Sequence, residues 1–296
     1  MGRSDGTPVK GIPAIDLMIP HIMNRRTDST NFVKVEIDIT NLKAYLNDLR
    51  AQGHHIGIMD AVVAAFAFML KKRPEVNRFV VNKRIYQRNH ICVSFAMLKR
   101  GANELTETIV KVYIEPGDDL ITISRKIRET IKDNEAPQVE NAMDRFVNRL
   151  MSMPVLPGFL VRTIKFMDNR GILPKSIIKL SPFHSSMFIS NLASIKMDYL
   201  YHHLYEFGTT SLFMTIGKPL REHGNGNGAN GTDDAEKGKA KQVMTLGISM
   251  DERICIGAVW ARAFYEFKRC LEHPAKLMGE LADDENNGGE HVRRVL

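Results

Sequence analysis

Hydrophobic and polar positions follow two different periods along the chain. Residues 32–39 (FVKVEIDI) and 107–114 (ETIVKVYI) alternate apolar with polar side chains, which predicts strands with one solvated face. Further strands are predicted where short apolar runs are bounded by turn residues, at 79–81, 85–87, 91–98, 186–192, 210–216 and 243–250. Asn82 and Lys83 lie between the first two of these runs and predict a hairpin turn.

Four segments show the helical period instead, at 40–50, 59–72, 118–134 and 257–273. Thr40 is expected to cap the first of these helices, and Asp118 or Asp119 the third. Strands and helices alternate irregularly, and several strands lie close enough in the chain to form hairpins. The predicted fold class is therefore α/β, a two-layer sandwich of mixed sheet and helices rather than a Rossmann sheet.

Two polar segments lie outside the predicted core. Residues 221–241 (REHGNGNGANGTDDAEKGKAK) predict a flexible loop that joins two neighbouring strands and does not separate domains. Residues 281–296 predict a disordered tail. We therefore expect residues 1–280 to form a single domain.

A basic segment at 140–180 stands apart in composition. It mixes Met, Phe and Leu with Arg and Lys, is helical in character, and is interrupted by three prolines. This composition suits a helix that lies on a surface, a lid over a cleft, or a contact at the edge of a trimer. A packed helical insert is the simplest interpretation.

Composition narrows the class of protein. The chain has 296 residues, 44% hydrophobic and 25% charged, and a formal net charge of +7, so it can bury a large core and attract polyanions. No nucleic-acid-binding module is recognisable, and the longest apolar block, residues 61–70, is about half the ~20 residues of a membrane span. Three cysteines without CxxC spacing favour a reducing compartment, so we expect a soluble, cytoplasmic protein.

Several motifs occur in a characteristic order. Residues 71–77 read KKRPEVN, residues 186–192 read SMFISNL, residues 210–217 read TSLFMTIG, and residues 243–258 read VMTLGISMDERICIGA. Together they resemble the catalytic domain of the dihydrolipoamide acyltransferases, which form the core of 2-oxoacid dehydrogenase complexes. That domain shares its fold with chloramphenicol acetyltransferase. The resemblance spans about residues 10–280, apart from the insert at 140–180.

The resemblance implies a mechanism and an assembly. In this family a histidine in the motif D-H-R-x-x-D-G acts as general base on the thiol of coenzyme A or dihydrolipoamide. A hydroxyl side chain in the I-S-N segment donates a hydrogen bond to the oxyanion of the tetrahedral intermediate. The family forms trimers and larger assemblies of trimers, with active sites between subunits. Coenzyme A, as acyl-CoA, or an acyl-thiol is the implied substrate, and no metal is implied.

The sequence keeps only part of this apparatus. Glu252 occupies the position of the catalytic histidine and Ile256 that of the later aspartate, whereas Asp251 and Arg253 match. Ser190 stands where the oxyanion donor is expected. An ordinary Glu has a pKa about two units below that of His and is a weaker base near neutral pH, although burial can raise it. We therefore expect a stand-alone acyltransferase-like domain whose transfer activity is lost or altered.

Asn191, beside Ser190, is the residue that we assign to coenzyme A contact. The full-length members of the family carry an N-terminal lipoyl domain, which the ~30 residues before the first predicted strand are too short to hold.

Two alternatives remain open. The chain is either an active acyltransferase that uses Glu252 or His184 as base, or a trimeric scaffold beside true acyltransferase subunits. His184 precedes the Ser190 strand, and a partly exposed loop histidine is the simpler interpretation. Cys255 is expected to be a small buried hydrophobic residue rather than a nucleophile. The adjacent His54 and His55 lack the spacing of metal ligands, so we predict no metal site.

Overall fold

The computed structural model describes residues 3–99, 107–136, 139–152, 157–222 and 241–278. Ten strands are described: β1 Gly6–Pro8, β2 Thr30–Asp38, β3 Arg78–Val81, β4 Arg84–Arg88, β5 Ile91–Leu98, β6 Glu107–Ile114, β7 Met187–Asn191, β8 Leu212–Ile216, β9 Leu220–Glu222 and β10 Lys241–Asp251. The α-helices are α1 Ala14–Ile22, α2 Thr40–Ala51, α3 Ile58–Lys72, α4 Leu120–Asn134, α5 Ala142–Met151, α6 Pro157–Arg170, α7 Lys175–Leu180 and α8 Gly257–Glu272.

The main sheet has the strand order β2-β10-β8-β7-β5-β6, and β9 pairs with the beginning of β10. Strands β5, β7 and β8 run parallel to one another, and the other pairs are antiparallel. This is the mixed sheet that the sequence predicts. A smaller sheet has the order β1-β4-β3.

Helices α2, α3, α4 and α8 pack against one face of the main sheet. The fully buried Phe66, Trp260 and Phe267 lie in the core between these two layers. The opposite face carries a smaller cluster in which Phe188 and Phe213 stack, with their ring centroids 4.8 Å apart. Side chains alternate between the two faces along each strand. Each residue of β7 and β10 therefore points either toward the core under the helices or toward the opposite face.

Local features agree with the predicted turns. Asn82 and Lys83 have φ of 47° and 62°, the left-handed conformation of a two-residue hairpin turn. Lys241 pairs with Glu222, so the ends of the predicted loop at 221–241 do lie side by side, while residues 223–240 are outside the described residues. The predicted tail at 281–296 is outside them as well. The first-turn acceptor of α2 is Asp38 rather than Thr40, because its carboxylate accepts the Thr40 N–H at 2.9 Å.

The N-terminal segment is more structured than the sequence pattern indicates. Strand β1 pairs with β4, and α1 follows it although Pro20 lies inside this helix. Ile15, Leu17, Met18 and Ile22 of α1 are 48–60% exposed. Ile15, Met18, Ile19 and Ile22 follow the helical period, but Pro20 interrupts the segment, and an internal proline argues against a helix in a sequence-based prediction.

Helices α5, α6 and α7 account for the basic segment at 140–180. Ile164, Leu173 and Ile178 form a small core of their own, separate from that of the sheet. Phe159 and Phe166 of α6 remain 66% and 55% exposed. In the described parts of the chain, no helix is both long and apolar enough to span a membrane.

Candidate active site

Glu252 follows the last residue of β10 and begins a short 3-10 turn, Glu252–Ile254. The residue is partly exposed, and Oε2 of its carboxylate accepts a hydrogen bond of 2.6 Å from Nδ2 of Asn31 on β2. The register of the two strands places Asp251 opposite Thr30, which brings the Glu252 and Asn31 side chains together. The position that the resemblance gives to a general base is thus held by a carboxylate bonded to a neighbouring strand.

The two residues that flank Glu252 form a buried ion pair. Arg253 Nε donates to Asp251 Oδ1 at 2.8 Å, and Arg253 Nη2 donates to Asp251 Oδ2 at 2.7 Å. Ser29 donates to Asp251 Oδ1 at 3.1 Å, and Arg26 Nε lies 3.9 Å from Asp251 Oδ2. These bidentate contacts fix the backbone on both sides of Glu252, as a preorganised site requires.

Ser190 lies near the end of β7, opposite Thr215 of β8. It shares a face with Phe188, so its side chain points away from the helix layer. Asn191 is partly buried, and its Oδ1 has no hydrogen-bond partner within the described residues. A buried amide oxygen of this kind can accept a hydrogen bond from a ligand.

Ser190 and Glu252 lie toward opposite ends of the sheet. Thr215, the partner of Ser190, pairs in turn with Gly247 of β10. Asp251 is four residues further along β10, which corresponds to about 14 Å, and two strand spacings add about 10 Å sideways. The hydroxyl of Ser190 and the carboxylate of Glu252 in one chain therefore do not form a common site.

His184 lies at the other end of β7 from Ser190 and is fully buried. The interpretation as a partly exposed loop histidine is wrong, because this segment is covered by α6 and by Phe207, whose ring centroid is 5.4 Å from the imidazole. His184 Nδ1 is 2.8 Å from the Ser181 hydroxyl, and Nε2 is 3.2 Å from Asp168 Oδ1. Burial lowers the pKa of His184 despite the nearby Asp168 carboxylate.

A polar cleft of about 290 Å³ opens beside these elements. Its charged lining residues are Arg26, Lys83, Lys165, Asp168, Glu206 and Arg253. The acidic members are already engaged, since Glu206 accepts the Arg26 N–H at 3.0 Å and Asp168 pairs with Arg3 at 2.6 Å.

Cys255 and His202 have no geometry for chemistry. Burial raises the pKa of the Cys255 thiol to about 12, so the nucleophilic thiolate is rare at neutral pH. The His202 ring stacks on Phe213 with centroids 3.9 Å apart. Within the described ranges, no group of three or more His, Cys, Asp or Glu residues could hold a metal ion.

Comparison with solved structures identifies the architecture. A probable dihydrolipoamide acetyltransferase from Listeria monocytogenes matches 94% of this chain and 98% of its own, with a TM-score of 0.54 and 15% identity. The cubic core of a pyruvate dehydrogenase multienzyme complex matches 91% of this chain and 93% of its own, with a TM-score of 0.54 and 13% identity. Chloramphenicol acetyltransferase matches 90% and 98%, with a TM-score of 0.53 and 9% identity.

The fold is that of chloramphenicol acetyltransferase. The predicted fold class is thereby confirmed, as is the likeness to acyltransferase catalytic cores. No protein-family model matches the sequence. No curated protein matches it either.

Several residues of these sites escaped the sequence analysis. Asn31, Ser181 and Asp168 are ordinary polar residues in the sequence, and their partners are far away in the chain or in a segment without a motif. The one signal in the sequence was that Ser181, Ser185 and Ser186 all lie within three residues of His184, which places hydroxyl groups close to the imidazole.

Proposed function

We propose that this protein is a CoA-dependent acyltransferase-family domain whose transfer activity at the Glu252 position is lost or altered. The observation that carries the proposal is the conjunction of the acyltransferase fold with Asp251-Glu252-Arg253 at the end of β10. There the Asp251–Arg253 ion pair is intact and the central residue is a carboxylate. A Glu in this place can take a proton from a thiol but is a weaker base than an ordinary imidazole.

The strand register supports an active site shared between subunits. Ser190 and Glu252 are about 15 Å or more apart within one chain, so an oxyanion donor and a base can meet only when two chains pack together. We propose a homotrimer in which Glu252 of one subunit faces Ser190 of the next. The match to a cubic core agrees with such an assembly.

Asn191 ends β7 on the opposite face of the strand from Ser190, and its side chain suits contact with coenzyme A at the strand end. The pantetheine arm carries amide N–H groups, and the unpartnered Asn191 Oδ1 can accept one of them. In the proposed site Ser190 donates to the acyl oxygen, and Glu252 accepts the thiol proton. Bound acyl-CoA supplies the activated thioester.

The experiment compares turnover with acetyl-, propionyl- and butyryl-CoA and dihydrolipoamide as acceptor, measured by chromatography of released CoA. We expect the natural chain to transfer weakly or not at all. Glu252→His combined with Ile256→Asp is expected to raise transfer by about 10²-fold or more, because a general base contributes 10²–10⁴-fold. Glu36→His, on the exposed part of β2, is the matched control.

Binding and variant data separate the outcomes. CoA binding that weakens in Ser190→Ala and Asn191→Ala supports the proposed site. Fast turnover by the natural chain that is abolished in both Glu252→Gln and Ser190→Ala would identify an active enzyme with Glu252 as base. Absence of CoA binding together with no gain in the Glu252→His/Ile256→Asp variant would leave only the scaffold.

A further inference from the structure

The exposed side of α6 carries aromatic and basic side chains in a single stripe. Its members follow one another at spacings of three, four and four residues: Phe159, Arg162, Phe166 and Arg170. These spacings place all four on one side of an α-helix, and we call them the α6 stripe. The two phenylalanines are 66% and 55% exposed, and both arginines are exposed as well. Exposed apolar side chains that are rimmed by charge mark an interaction surface.

The α6 stripe points away from the body of the protein. At about 100° per residue, Asp168 lies on the opposite side of the helix from both phenylalanines. Asp168 is buried, and its Oδ1 is 2.6 Å from Arg3 Nη2. Ile164 packs with Leu173 and Ile178 in the small core of the insert. Helix α6 therefore already buries its inner side within this chain, and the stripe is its outer side.

Basic side chains dominate the surface around the stripe. Residues 140–180 contain seven Arg or Lys and three Asp or Glu, so this segment holds +4 of the chain's net charge of +7. All seven basic residues are exposed. Arg162 and Arg170 form no ion pair with any residue that the structure describes, and the Arg170 guanidinium lies 5.0 Å from the centre of the Phe166 ring. These charges are available to an external anion.

An anionic lipid bilayer matches this surface in charge and in chemistry. At a membrane surface, aromatic rings lie at the boundary between headgroups and acyl chains, while arginine side chains extend toward the phosphates and bind them with two hydrogen bonds. A second copy of this chain matches less well, because a two-fold contact through the stripe would bring arginines against arginines. Charge complementarity therefore selects the lipid surface.

We propose that the α6 stripe docks this protein on membranes that contain anionic phospholipid. The two phenylalanines insert between the lipid headgroups, and the two arginines bind the headgroup phosphates. The inner side of α6 stays packed in the protein, so the helix lies along the membrane surface. The docking does not rest on the proposed acyltransferase function, because none of the residues assigned to that site belongs to the stripe.

Sedimentation of the full chain with lipid vesicles tests the surface. Vesicles of equal parts phosphatidylglycerol and phosphatidylcholine should bind the natural chain at least about tenfold more tightly than vesicles of phosphatidylcholine alone. The reason is that each basic residue near an anionic surface strengthens binding about fivefold. Added salt should weaken the binding, because it screens these charges.

Single alanine variants test the aromatic part of the stripe. Phe159→Ala and Phe166→Ala should each weaken binding to the anionic vesicles about fivefold or more, because less apolar surface leaves water. Phe32→Ala is the matched control, since Phe32 lies on β2 and is 55% exposed, as Phe166 is. This control should bind as the natural chain does.

Charge reversal tests the basic part. Arg162→Glu combined with Arg170→Glu should weaken binding by about 10²-fold or more, because two attractive charges become repulsive ones. Arg50→Glu combined with Lys132→Glu is the control. It changes the net charge by the same amount at exposed positions of α2 and α4, and should weaken binding far less.

A tryptophan reporter tests insertion itself. Phe166→Trp adds a second indole to a chain whose one native tryptophan, Trp260, is 2% exposed. Fluorescence emission of this variant should move to shorter wavelength when anionic vesicles are added, because the new indole leaves water for the membrane interface. Phe32→Trp should show no such shift.

The outcomes separate docking from misfolding and from other partners. Melting temperatures of the stripe variants should equal that of the natural chain, since the altered side chains are exposed. A folded natural chain that does not bind anionic vesicles would overturn the proposal, and so would binding that persists unchanged in both Phe159→Ala and Phe166→Ala. A smaller oligomer in these variants, with no vesicle binding by the natural chain, would assign the stripe to contact between copies instead.

Discussion

Arg3 and Asp168 are 165 residues apart in the sequence, yet a 2.6 Å ion pair joins Arg3 Nη2 to Asp168 Oδ1 beneath the surface. Arg3 Nε also donates to Asp5 Oδ1 at 2.8 Å. Burial acts to lower the pKa of Arg3, but its hydrogen bond with Asp5 and the charges of Asp168 and Asp5 raise it. One guanidinium thus ties the beginning of the chain to α6 of the insert.

Arg3→Ala is expected to lower the free energy of unfolding by about 3–5 kcal/mol, because it leaves the buried Asp5 and Asp168 carboxylates without their counter-charge. Urea denaturation at pH 7 measures this loss. Lys34→Ala is the control, since Lys34 and Glu36 pair at 2.5 Å with side chains 45% and 54% exposed, and solvent screening should leave stability nearly unchanged when this pair is removed. Equal losses in the two variants would contradict the structural role of Arg3.

Gly247→Ala is expected to destabilise the protein by about 1–3 kcal/mol through overpacking. A Cβ atom at Gly247 would lie 2.2 Å from Leu200 O and 2.7 Å from Thr215 Oγ1, so the segment that covers the sheet would have to move. Gly117→Ala is the matched control, because nothing lies within 4 Å of its Cβ position. Thermal unfolding of the two variants side by side should separate them by several degrees.

His90 is expected to make the protein sensitive to mild acid. Burial, with the charges of Arg88 and Lys111, lowers its pKa from 6.5 to about 4. The folded state thus favours the neutral ring, and the stability this gives is present above pH 6.5 and lost as the pH falls from 6.5 to 4. The loss is at most about 3 kcal/mol, and less because the ring is partly exposed.

The measurement is the free energy of unfolding between pH 7.5 and 4 for the natural chain and His90→Asn. The variant should show a smaller decline over this window, and the remaining decline includes a contribution from the buried His184. His21→Asn, on the exposed surface of α1, is the control. A pH profile of His90→Asn that is parallel to that of the natural chain would refute this assignment.

The cysteines are expected to be inert in the folded protein. Burial raises the pKa of the Cys255 thiol to about 12 and that of Cys270 to about 11, and Cys92 is fully buried. Reaction with a disulfide reagent at pH 8 should be slower than for a free thiol by about 10²-fold or more, since only the thiolate reacts. Urea should release three rapidly reacting thiols, and a rapid phase without urea would argue against this burial.

Local sequence signals were sufficient for most of the fold. Alternating apolar and polar residues predicted β2 and β6. The hairpin turn was predicted because Asn82 and Lys83 lie between two short apolar runs, and both residues adopt positive φ in the structure. Helix α1 was not predicted because Pro20 lies inside it, and an internal proline normally ends or breaks a helix.

The sites were less predictable than the fold. Glu252 and Ser190 could be selected from motifs, but their separation follows from strand register, which depends on pairing between distant segments. The burial of His184 follows from its packing under α6 and Phe207, and these contacts leave no trace in the local sequence. Contacts between residues far apart in the sequence depend on how the whole chain packs, so local sequence patterns do not predict them.

The separation of Ser190 from Glu252 has a consequence for genetics. In a cyclic trimer each shared site draws one residue from each of two neighbours. Subunits that carry only Ser190→Ala and subunits that carry only Glu252→Gln would then complement each other when they co-assemble. Random mixing in equal amounts restores about a quarter of the sites, because the intact halves meet at one junction of every mixed trimer. Two variants that each abolish the weak transfer of the natural chain would together restore about a quarter of it.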